Sequence, residues 1–420
     1  MLTEKEKEFI QQHRNDDVRK LMLQGGKAPE IDLRKMAVQI SGWQSASKKL
    51  PTWAATDGIV YPEHLSMEQC SSEATARYKG KVMMRMLLAR NSYDKKGGPR
   101  FGSPLEFTDL TGGFGVDAAM IAMSLKDCHT TFAERNQELC ELASHNLPVL
   151  GVKQLEVVCG ECEEVLDSLP PQDAIFIDPA RRNTHGRKTV AIEDCTPDIC
   201  RINMDLLDKA KVVMVKLSPM LDLSQAVRKL KGVEEVHVVG VNGECKELLL
   251  VMSAAATEED VRVKVSCVNM KGEGQEEFHY FLDEEDSQSS EYAYTKKVGK
   301  YLYEPNACIM KAGCFKTLGA YYGLQLLGKN SHLYSSQEMA AVGFPGRIFE
   351  VQNVLPFNKS NVRCLHNSIV QANITVRNFP LSVPELRKRL KMKEGGNDYI
   401  FATTLQESSL VLILCHKLDL

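Results

Sequence analysis

Three glycines lie between two aspartates in the stretch DLTGGFGVDA, residues 109–118. Gly113, Gly115 and Ala118 fit the spacing G-x-G-x-x-G/A, which allows a tight turn and a close backbone approach to a nucleotide. An apolar run precedes the loop and a helical pattern follows it, which is the context that the motif requires. The loop therefore predicts a cofactor with a nucleoside part, and the alternative is a tight turn that binds nothing.

The two aspartates distinguish between cofactors. A dinucleotide places its pyrophosphate on the helix N-terminus, where Asp117 in the first helical turn and Asp109 at the strand end would repel it. S-adenosylmethionine has no phosphate and carries a cationic sulfonium and a cationic ammonium group, which acids attract. We therefore expect S-adenosylmethionine to bind this loop, at Asp109, Thr111, Gly112, Gly113, Phe114, Gly115 and Asp117.

The next two strand ends also carry polar residues. Glu134 ends the second strand about 20 residues after the glycines, where an acid can bind ribose hydroxyls, and Arg135 follows it. At the third strand end, the adenine is expected beside Gly160, Glu161 and Cys162. The alternative for Cys159 and Cys162 is a metal or redox pair, but zinc needs about four ligands and no second pair has matching spacing. We expect no structural metal.

The fourth strand end, IFIDPARR, contains the residues expected to act on the substrate. Asp178 and Pro179 fall at the sheet edge where ligands bind in open α/β sheets. A carboxylate and a nearby carbonyl can accept hydrogen bonds from an exocyclic amine and direct its lone pair at a methyl group. The alternative is a strand-terminating turn without chemistry.

Five short apolar runs alternate with amphipathic segments, which predicts a parallel sheet with helices on both faces. A hairpin turn at Asn242-Gly243 predicts an antiparallel last strand. The expected domains are a helical N-terminal domain (1–95), a cofactor-binding domain (101–255), an α+β region (258–343) and a C-terminal domain (344–420), with a breaker-rich linker at 95–104. The five predicted strands are residues 105–110, 128–134, 155–160, 174–179 and 211–218.

Composition narrows the class of protein. The 420 residues are 43% hydrophobic and 25% charged with a net charge of −3, which excludes a uniformly basic nucleic-acid binder but not a local basic patch. The start shows no secretory pattern, and no apolar run is long enough for a membrane span. With 13 scattered cysteines, reduced thiols in a cytoplasmic protein are expected.

The motifs DLTGGFGVD, FAERN, CGEC and IFIDPARR resemble, in order and spacing, those of class I S-adenosylmethionine-dependent methyltransferases with a Rossmann-like sheet. The segment up to Glu164 is also similar to guanine-N2 methyltransferases of the trimethylguanosine-synthase type. The whole chain resembles bacterial methyltransferases that end in ferredoxin-like and THUMP-like domains, through YLYEPNACIMKAGCFKTLG and PFNKSNVRCLHNSIVQANITVRNF among others. THUMP domains bind RNA, so the resemblance implies an RNA substrate.

One position departs from the amino-group methyltransferases. These enzymes usually carry D-P-P-Y or N-P-P-F/W, whereas Ala180 and Arg181 stand in the last two places here. The Arg181 guanidinium can stack on a base, or Arg181 and Arg182 can bind phosphate. Lys216 ends the fifth strand, either on the acceptor side or as a solvated rim lysine.

Two further polar segments each allow two interpretations. The helix-like SVPELRKRLKMK is either an RNA-phosphate patch or a solvated basic face, and its cations are Arg387, Lys388, Arg389, Lys391 and Lys393. In CSSEATARYKG, the polar side chains either cover the cofactor or cap a helix, and these are Ser72, Thr75, Arg77 and Tyr78.

The sequence thus predicts methyl transfer from S-adenosylmethionine to RNA, at a base amino group such as guanine N2. One alternative is an NAD-dependent oxidoreductase, but the sequence shows no evident hydride-relay residues. The other is a non-catalytic protein that binds S-adenosylmethionine or RNA.

Overall fold

The computed structural model of the chain divides into two compact units, Met1–Glu234 with Leu249–Val261, and Glu235–Leu248 with Arg262–Leu420. The predicted linker at 95–104 lies outside the described residues except for its last position. The structure describes residues 2–23, 32–90, 104–181, 191–258, 261–272, 274–288, 293–340, 343–405 and 408–418.

Six helices open the first unit: α1 (Glu4–His13), α2 (Val18–Leu23), α3 (Leu33–Lys49), α4 (Pro51–Ala55), α5 (His64–Gln69) and α6 (Glu73–Ala89). Polar caps fix where several of them begin. The Asp32 carboxylate accepts from the Arg34 amide at the start of α3, and the Ser72 hydroxyl accepts from the Thr75 amide at the start of α6. Both caps satisfy amides that lack a partner within the helix.

The predicted strand–helix alternation follows. Its elements are β1 (Leu105–Asp109), α7 (Val116–Leu125), β2 (Cys128–Glu134), α8 (Gln137–Val149), β3 (Gln154–Cys159), α9 (Cys162–Ser168), β4 (Gln172–Ile177), β5 (Ala180–Arg181), β6 (Cys195–Thr196), α10 (Ile199–Lys209), β7 (Ala210–Leu217) and α11 (Leu223–Lys229), with a 3₁₀ turn at Ile192–Asp194. The five predicted strands are confirmed, with ends that differ by at most two residues.

Strands β3, β2, β1, β4 and β7 lie side by side in that order, and every pairing among them is parallel. Their carboxyl ends therefore share one edge of the sheet, which is where such folds bind ligands. Apolar side chains from the strand centres, such as Phe107, Ile175 and Met214, are fully buried. Burial is near-continuous along β1, β2, β4 and β7, as is typical of a sheet covered on both faces, whereas the edge strand β3 is half-buried or exposed.

Helix α6 lies closely against α7. A Cβ built on Gly80 would fall 2.2 Å from the Ser124 hydroxyl and 2.8 Å from the Met120 carbonyl oxygen. Only glycine permits this approach without displacing α7. The end of the helical segment is thus packed directly against the helix that follows the glycine loop.

The next strands are β8 (Val233–Val241) and β9 (Glu244–Met252), and a short helix α12 (Ala255–Glu258) follows them. The predicted hairpin is present in the second unit, where Asn242 and Gly243 both have positive φ angles, 52° and 82°. Strand β10 (Lys264–Lys271) pairs in parallel with β8 and antiparallel with β11 (Gly274–Phe281).

The rest of the second unit forms a seven-stranded sheet in the order β13-β14-β12-β15-β18-β17-β16. Near the C-terminus, β16, α17, β17 and β18 form a β-α-β-β module, with β16 parallel and β18 antiparallel to β17. The elements are α13 (Leu282–Ser287), β12 (Tyr301–Pro305), α14 (Ala307–Ala312), α15 (Phe315–Tyr322), β13 (Gln325–Leu326), β14 (Tyr334–Ser336), β15 (Gly346–Pro356), α16 (Lys359–Ser368), β16 (Asn373–Arg377), α17 (Val383–Leu390), β17 (Asp398–Thr404) and β18 (Leu410–Leu418).

Within the described ranges, none of the helices has the length and apolar character that crossing a membrane requires.

Candidate functional site

The glycine loop turns tightly between β1 and α7. Gly113 and Gly115 adopt left-handed backbone conformations, with φ of 55° and 85°, which cost little only for glycine. The Gly112 amide donates to the Ala133 carbonyl at 2.8 Å, and a Cβ on Gly112 would fall 2.1 Å from the Phe132 ring. The loop is therefore held against β2, and its glycines are required by its geometry.

Glu134, at the end of β2, braces this loop. One of its carboxylate oxygens accepts from the Gly113 amide at 3.0 Å, and the other accepts from the Asn136 amide at 2.9 Å. Each carboxylate oxygen has two lone pairs, so acceptor capacity for hydroxyl donors remains on both oxygens. Glu134 can therefore hold the loop and bind a ribose at the same time.

Asp109 lies buried at the end of β1. Its carboxylate accepts from the Thr111 amide at 3.0 Å. Burial raises the pKa of Asp109 well above its usual range, and the nearby charges of Asp117, Asp178 and Glu134 raise it further. An acid in such surroundings is stabilised by a cation, so this strand end is electrostatically suited to a positively charged ligand.

Asp117 already has its charge balanced by the N-terminal helices. One carboxylate oxygen accepts from the Lys79 ammonium at 2.9 Å, and the other accepts from the Ser71 hydroxyl at 2.7 Å. Burial opposes ionisation of Asp117, but Lys79, Lys216 and Ser71 outweigh it and lower the pKa below its usual value. Asp117 thus organises the start of α7 through protein contacts, and neither Ser71 nor Lys79 was among the predicted site residues.

Asp178 and Lys216 meet where β4 and β7 end. The Lys216 ammonium donates to the Asp178 carboxylate, and Lys216 has only 14% of its side chain exposed. The Asp178 amide donates to the Thr111 hydroxyl at 2.6 Å, which ties this strand end to the glycine loop. Lys216 is therefore a largely buried partner of Asp178 and not a solvated rim lysine.

Other predicted residues are distributed as follows. The Phe114 ring is buried against Trp53 and Tyr61, at centroid distances of 6.5 and 6.4 Å, and belongs to the core. Arg135 is exposed. Pro179 is buried, whereas the Arg181 side chain and all of Arg182 lie outside the described residues.

The third strand end lies beside this group. The Gly160 amide donates to the Glu134 carbonyl at 3.1 Å, and Glu161 is exposed. Burial, assisted by nearby acids, raises the pKa of the Cys162 thiol to about 12, so this cysteine is a neutral thiol. No disulfide joins cysteines in the described ranges, and no group of three or more His, Cys, Asp or Glu there is arranged to hold a metal.

The polar segment before α6 contributes helix caps and ion pairs. Ser72 caps the helix, and Arg77 donates to the Glu73 carboxylate at 2.7 Å and to the Thr52 hydroxyl at 2.9 Å. Tyr78 is half-buried. The capped-helix interpretation therefore accounts for the contacts of Ser72 and Arg77.

The predicted basic segment belongs to the second unit. Leu386 and Leu390 of α17 are buried in the core under the sheet, and Arg387 donates to the Ala372 carbonyl at 3.1 Å. Arg389 stacks over the Phe357 ring at 4.9 Å. Three lysines of the segment are exposed: Lys388, Lys391 and Lys393.

The packing of α16 against α17 adds further cations. Lys359 and Arg363 of α16 are exposed. They were not predicted as part of the basic segment because they lie more than 20 residues before its first cation in the chain. Lys359 and Arg363 therefore lie on the helix that packs beside α17.

S-adenosylmethionine fits the groups around the glycine loop. Its cations match Asp109, whose pKa is raised by burial and further by three nearby acids, so that a bound cation would stabilise its ionised form. A Cβ on Gly113 or Gly160 would meet nothing closer than 4.0 and 3.5 Å respectively, so the backbone is open there to a ligand. Asp109, Glu134 and the loop amides are the groups that would hold it.

Comparison with known proteins agrees with this chemistry. The crystal structure of a "putative methyltransferase" from Porphyromonas gingivalis W83 matches with 33% identity and a TM-score of 0.83, over 100% of both chains. Two curated S-adenosylmethionine-dependent methyltransferases of Mycobacterium tuberculosis, from strains CDC 1551 and H37Rv, are each 28% identical over 64% of this chain and 69% of their own.

Family models match the C-terminal part of the chain. A ferredoxin-like domain matches residues 301–345, and a THUMP domain-like family matches residues 346–417. These matches and the full-length match above confirm the predicted enzyme class and cofactor and remove the NAD-dependent alternative. The chain belongs to the S-adenosylmethionine-dependent methyltransferases that carry ferredoxin-like and THUMP-like domains.

Proposed function

We propose that this methyltransferase acts on RNA and methylates an exocyclic amino group of a base, with guanine N2 favoured. The observation that carries the proposal is the carboxylate of Asp178 at the carboxyl end of β4, held by Lys216 beside the glycine loop. A fixed anionic acceptor at this place suits a donor N–H group on the substrate. An amino group has two N–H donors and needs two hydrogen-bond acceptors to hold them, whereas a hydroxyl or carbon nucleophile does not.

Bound S-adenosylmethionine supplies an electrophilic methyl group. The residues of the chain orient the acceptor: Asp178 accepts one amino hydrogen, and the carbonyl in the Pro179 region accepts the other. With both hydrogens held, the nitrogen lone pair is directed out of the plane of the base, and this orientation supplies much of the rate. Lys216 holds the Asp178 carboxylate in place through a hydrogen bond.

The C-terminal domain supports RNA as the substrate. The THUMP-like match covers α17 and the exposed lysines in it and just after it, Lys388, Lys391 and Lys393. RNA phosphates are bound by such clusters without regard to base sequence. We also propose that Arg181 stacks on the target base where related enzymes use an aromatic ring, that the domain limits are those predicted from the sequence, and that the enzyme works in the cytoplasm.

The test uses purified protein, labelled S-adenosylmethionine and RNA from a strain that lacks the gene. The RNA is digested to nucleosides, which are separated and identified by mass spectrometry. We expect label in N2-methylguanosine. Label in another nucleoside would assign the methyl group to a different atom. Label in protein or small molecules with none in RNA would refute the RNA substrate.

A further inference from the structure

The first unit contains a cation in its interior. Lys79 lies on α6 with 0% of its residue surface exposed. Its ammonium donates to Asp117 at 2.9 Å and to Ser71 at 3.0 Å, while the Ser71 hydroxyl donates to the second oxygen of Asp117 at 2.7 Å. Because an isolated buried charge is very unfavourable, this closed triangle is a specific arrangement and not a solvated contact.

The triangle adjoins the ion pair at the sheet edge. Asp117 is close enough to Lys216 for the lysine charge to favour its ionised form, while Lys216 donates to Asp178. Lys79, Asp117, Lys216 and Asp178 thus form a row of alternating charges from α6 to the end of β4. Asp117 and Asp178 are two acids beside one cation, Lys216.

We propose that Lys79 and Ser71 are positioning residues for methyl transfer: Lys79 balances the charge of Asp117 and Ser71 donates to its second oxygen, so that Lys216 remains on Asp178. This role deepens the proposed function, because it requires Asp178 to be the group that orients the substrate. It also assigns a purpose to the N-terminal helices, which supply a partner charge for the start of α7 without touching the substrate.

Asp117 and Asp178 compete for one cation, the Lys216 ammonium. If the Lys79 ammonium is lost, Asp117 is left buried with one donor, Ser71. The neighbouring Lys216 can then turn towards Asp117, which costs less than leaving a buried carboxylate without a cation. Asp178 would lose its partner and its fixed orientation, although the backbone that binds the cofactor is unchanged.

The kinetic test compares Lys79→Met with the double variant Lys79→Met/Asp117→Asn. We expect Lys79→Met to lower kcat about ten-fold or more, with the Kd for S-adenosylhomocysteine changed by about three-fold or less. The double variant lacks the competing carboxylate, so its kcat should return to within about three-fold of wild type. A matched control is Lys211→Met, which removes the lysine paired with Asp173 on the same two strands and should leave kcat unchanged.

The result that overturns the proposal is a double variant as slow as Lys79→Met, or a Lys79→Met enzyme as fast as wild type. All rates are normalised to the folded fraction measured by circular dichroism. If Lys79→Met does not fold, Ser71→Ala replaces it. This variant removes one neutral donor, and we expect kcat to fall about five-fold, which corresponds to about 1 kcal/mol. No change in kcat would then refute the positioning role.

A second measurement does not depend on RNA. The ammonium resonance of Lys216 is observed by NMR with ¹⁵N-labelled lysine and assigned with Lys216→Arg. Asp178→Asn should shift this resonance in the wild-type background but not in Lys79→Met, where Lys216 has turned to Asp117. Equal shifts in both backgrounds would refute the proposal. If the resonances behave as expected and no RNA is methylated, the RNA substrate alone is wrong.

Discussion

Replacing Asp109 with asparagine should stabilise the protein and weaken cofactor binding. Burial and the charges of Asp117, Asp178 and Glu134 raise the pKa of Asp109. Because its pKa is higher in the folded than in the unfolded state, the folded state binds more protons, and the free energy of unfolding falls as pH rises above about 4. The asparagine amide keeps an oxygen for the Thr111 amide but has no charge, so the stabilising effect of the substitution should grow with pH.

The loss of affinity follows from the contact that the acid would make. A hydrogen bond between an ammonium and a carboxylate contributes about 1.5–3 kcal/mol, which corresponds to an increase of about 10- to 150-fold in Kd for S-adenosylmethionine. Binding a cation should also lower the pKa of Asp109 and release a proton. Isothermal titration calorimetry in buffers of different ionisation enthalpy measures this proton directly, and the Asp109→Asn variant should not release it.

Asp173→Asn is the matched control, because this largely buried carboxylate lies on β4 at the far end from the loop and pairs with Lys211. It should leave the Kd and the proton release unchanged. Two results would contradict this role of Asp109. One is an Asp109→Asn variant that binds the cofactor as tightly as wild type, and the other is a difference in unfolding free energy between variant and wild type that stays constant from pH 5 to pH 8.

Three further variants test the catalytic strand end, the basic segment and the glycine loop. Asp178→Asn should reduce methyl transfer about 100-fold with little change in cofactor affinity, measured by single-turnover kinetics and calorimetry. Three exposed lysines of the basic segment, Lys388, Lys391 and Lys393, can be replaced together with glutamine. This should weaken RNA binding and reduce the slope of log Kd against log salt by up to about 2, since each single-strand phosphate contact contributes about 0.7 to that slope. Gly115→Ala should lower the free energy of unfolding by about 1–2 kcal/mol in urea titrations, because its φ of 85° strains any other residue.

The sequence predicted the elements whose signals are local. Each strand of the sheet in the first unit is a short apolar run next to an amphipathic helix, and both patterns arise within about 15 residues. The parallel pairing of β10 with β8 was missed because it joins segments separated by another strand and by α12. No residue in either strand reports which neighbour it will have, since that depends on how the whole chain packs.

In the candidate site, too, residues with a local sequence signal were predicted and a residue with a distant partner was missed. The acids at the strand ends were predicted, because parallel strands bring their carboxyl ends to one edge. Lys79 was missed because its partner is 38 residues away. A signal was present, however: Lys79 lies on the same helical stripe as the buried residues Ala76, Met83 and Met86. A lysine within an apolar stripe indicates a buried partner, because such a charge is rarely buried unpaired.

Of the two acids expected to select a cationic cofactor, only one is left without a balancing cation by its protein contacts. Both Asp109 and Asp117 were expected to repel a pyrophosphate and to attract a sulfonium compound. In the structure, Lys79 and Ser71 satisfy Asp117, so its charge contributes little to ligand selection. Asp109 instead accepts from a neutral backbone amide and experiences three neighbouring acids. The preference for a cationic ligand is therefore concentrated at the end of β1, and the acid in the helix turn serves to attach the loop to α6.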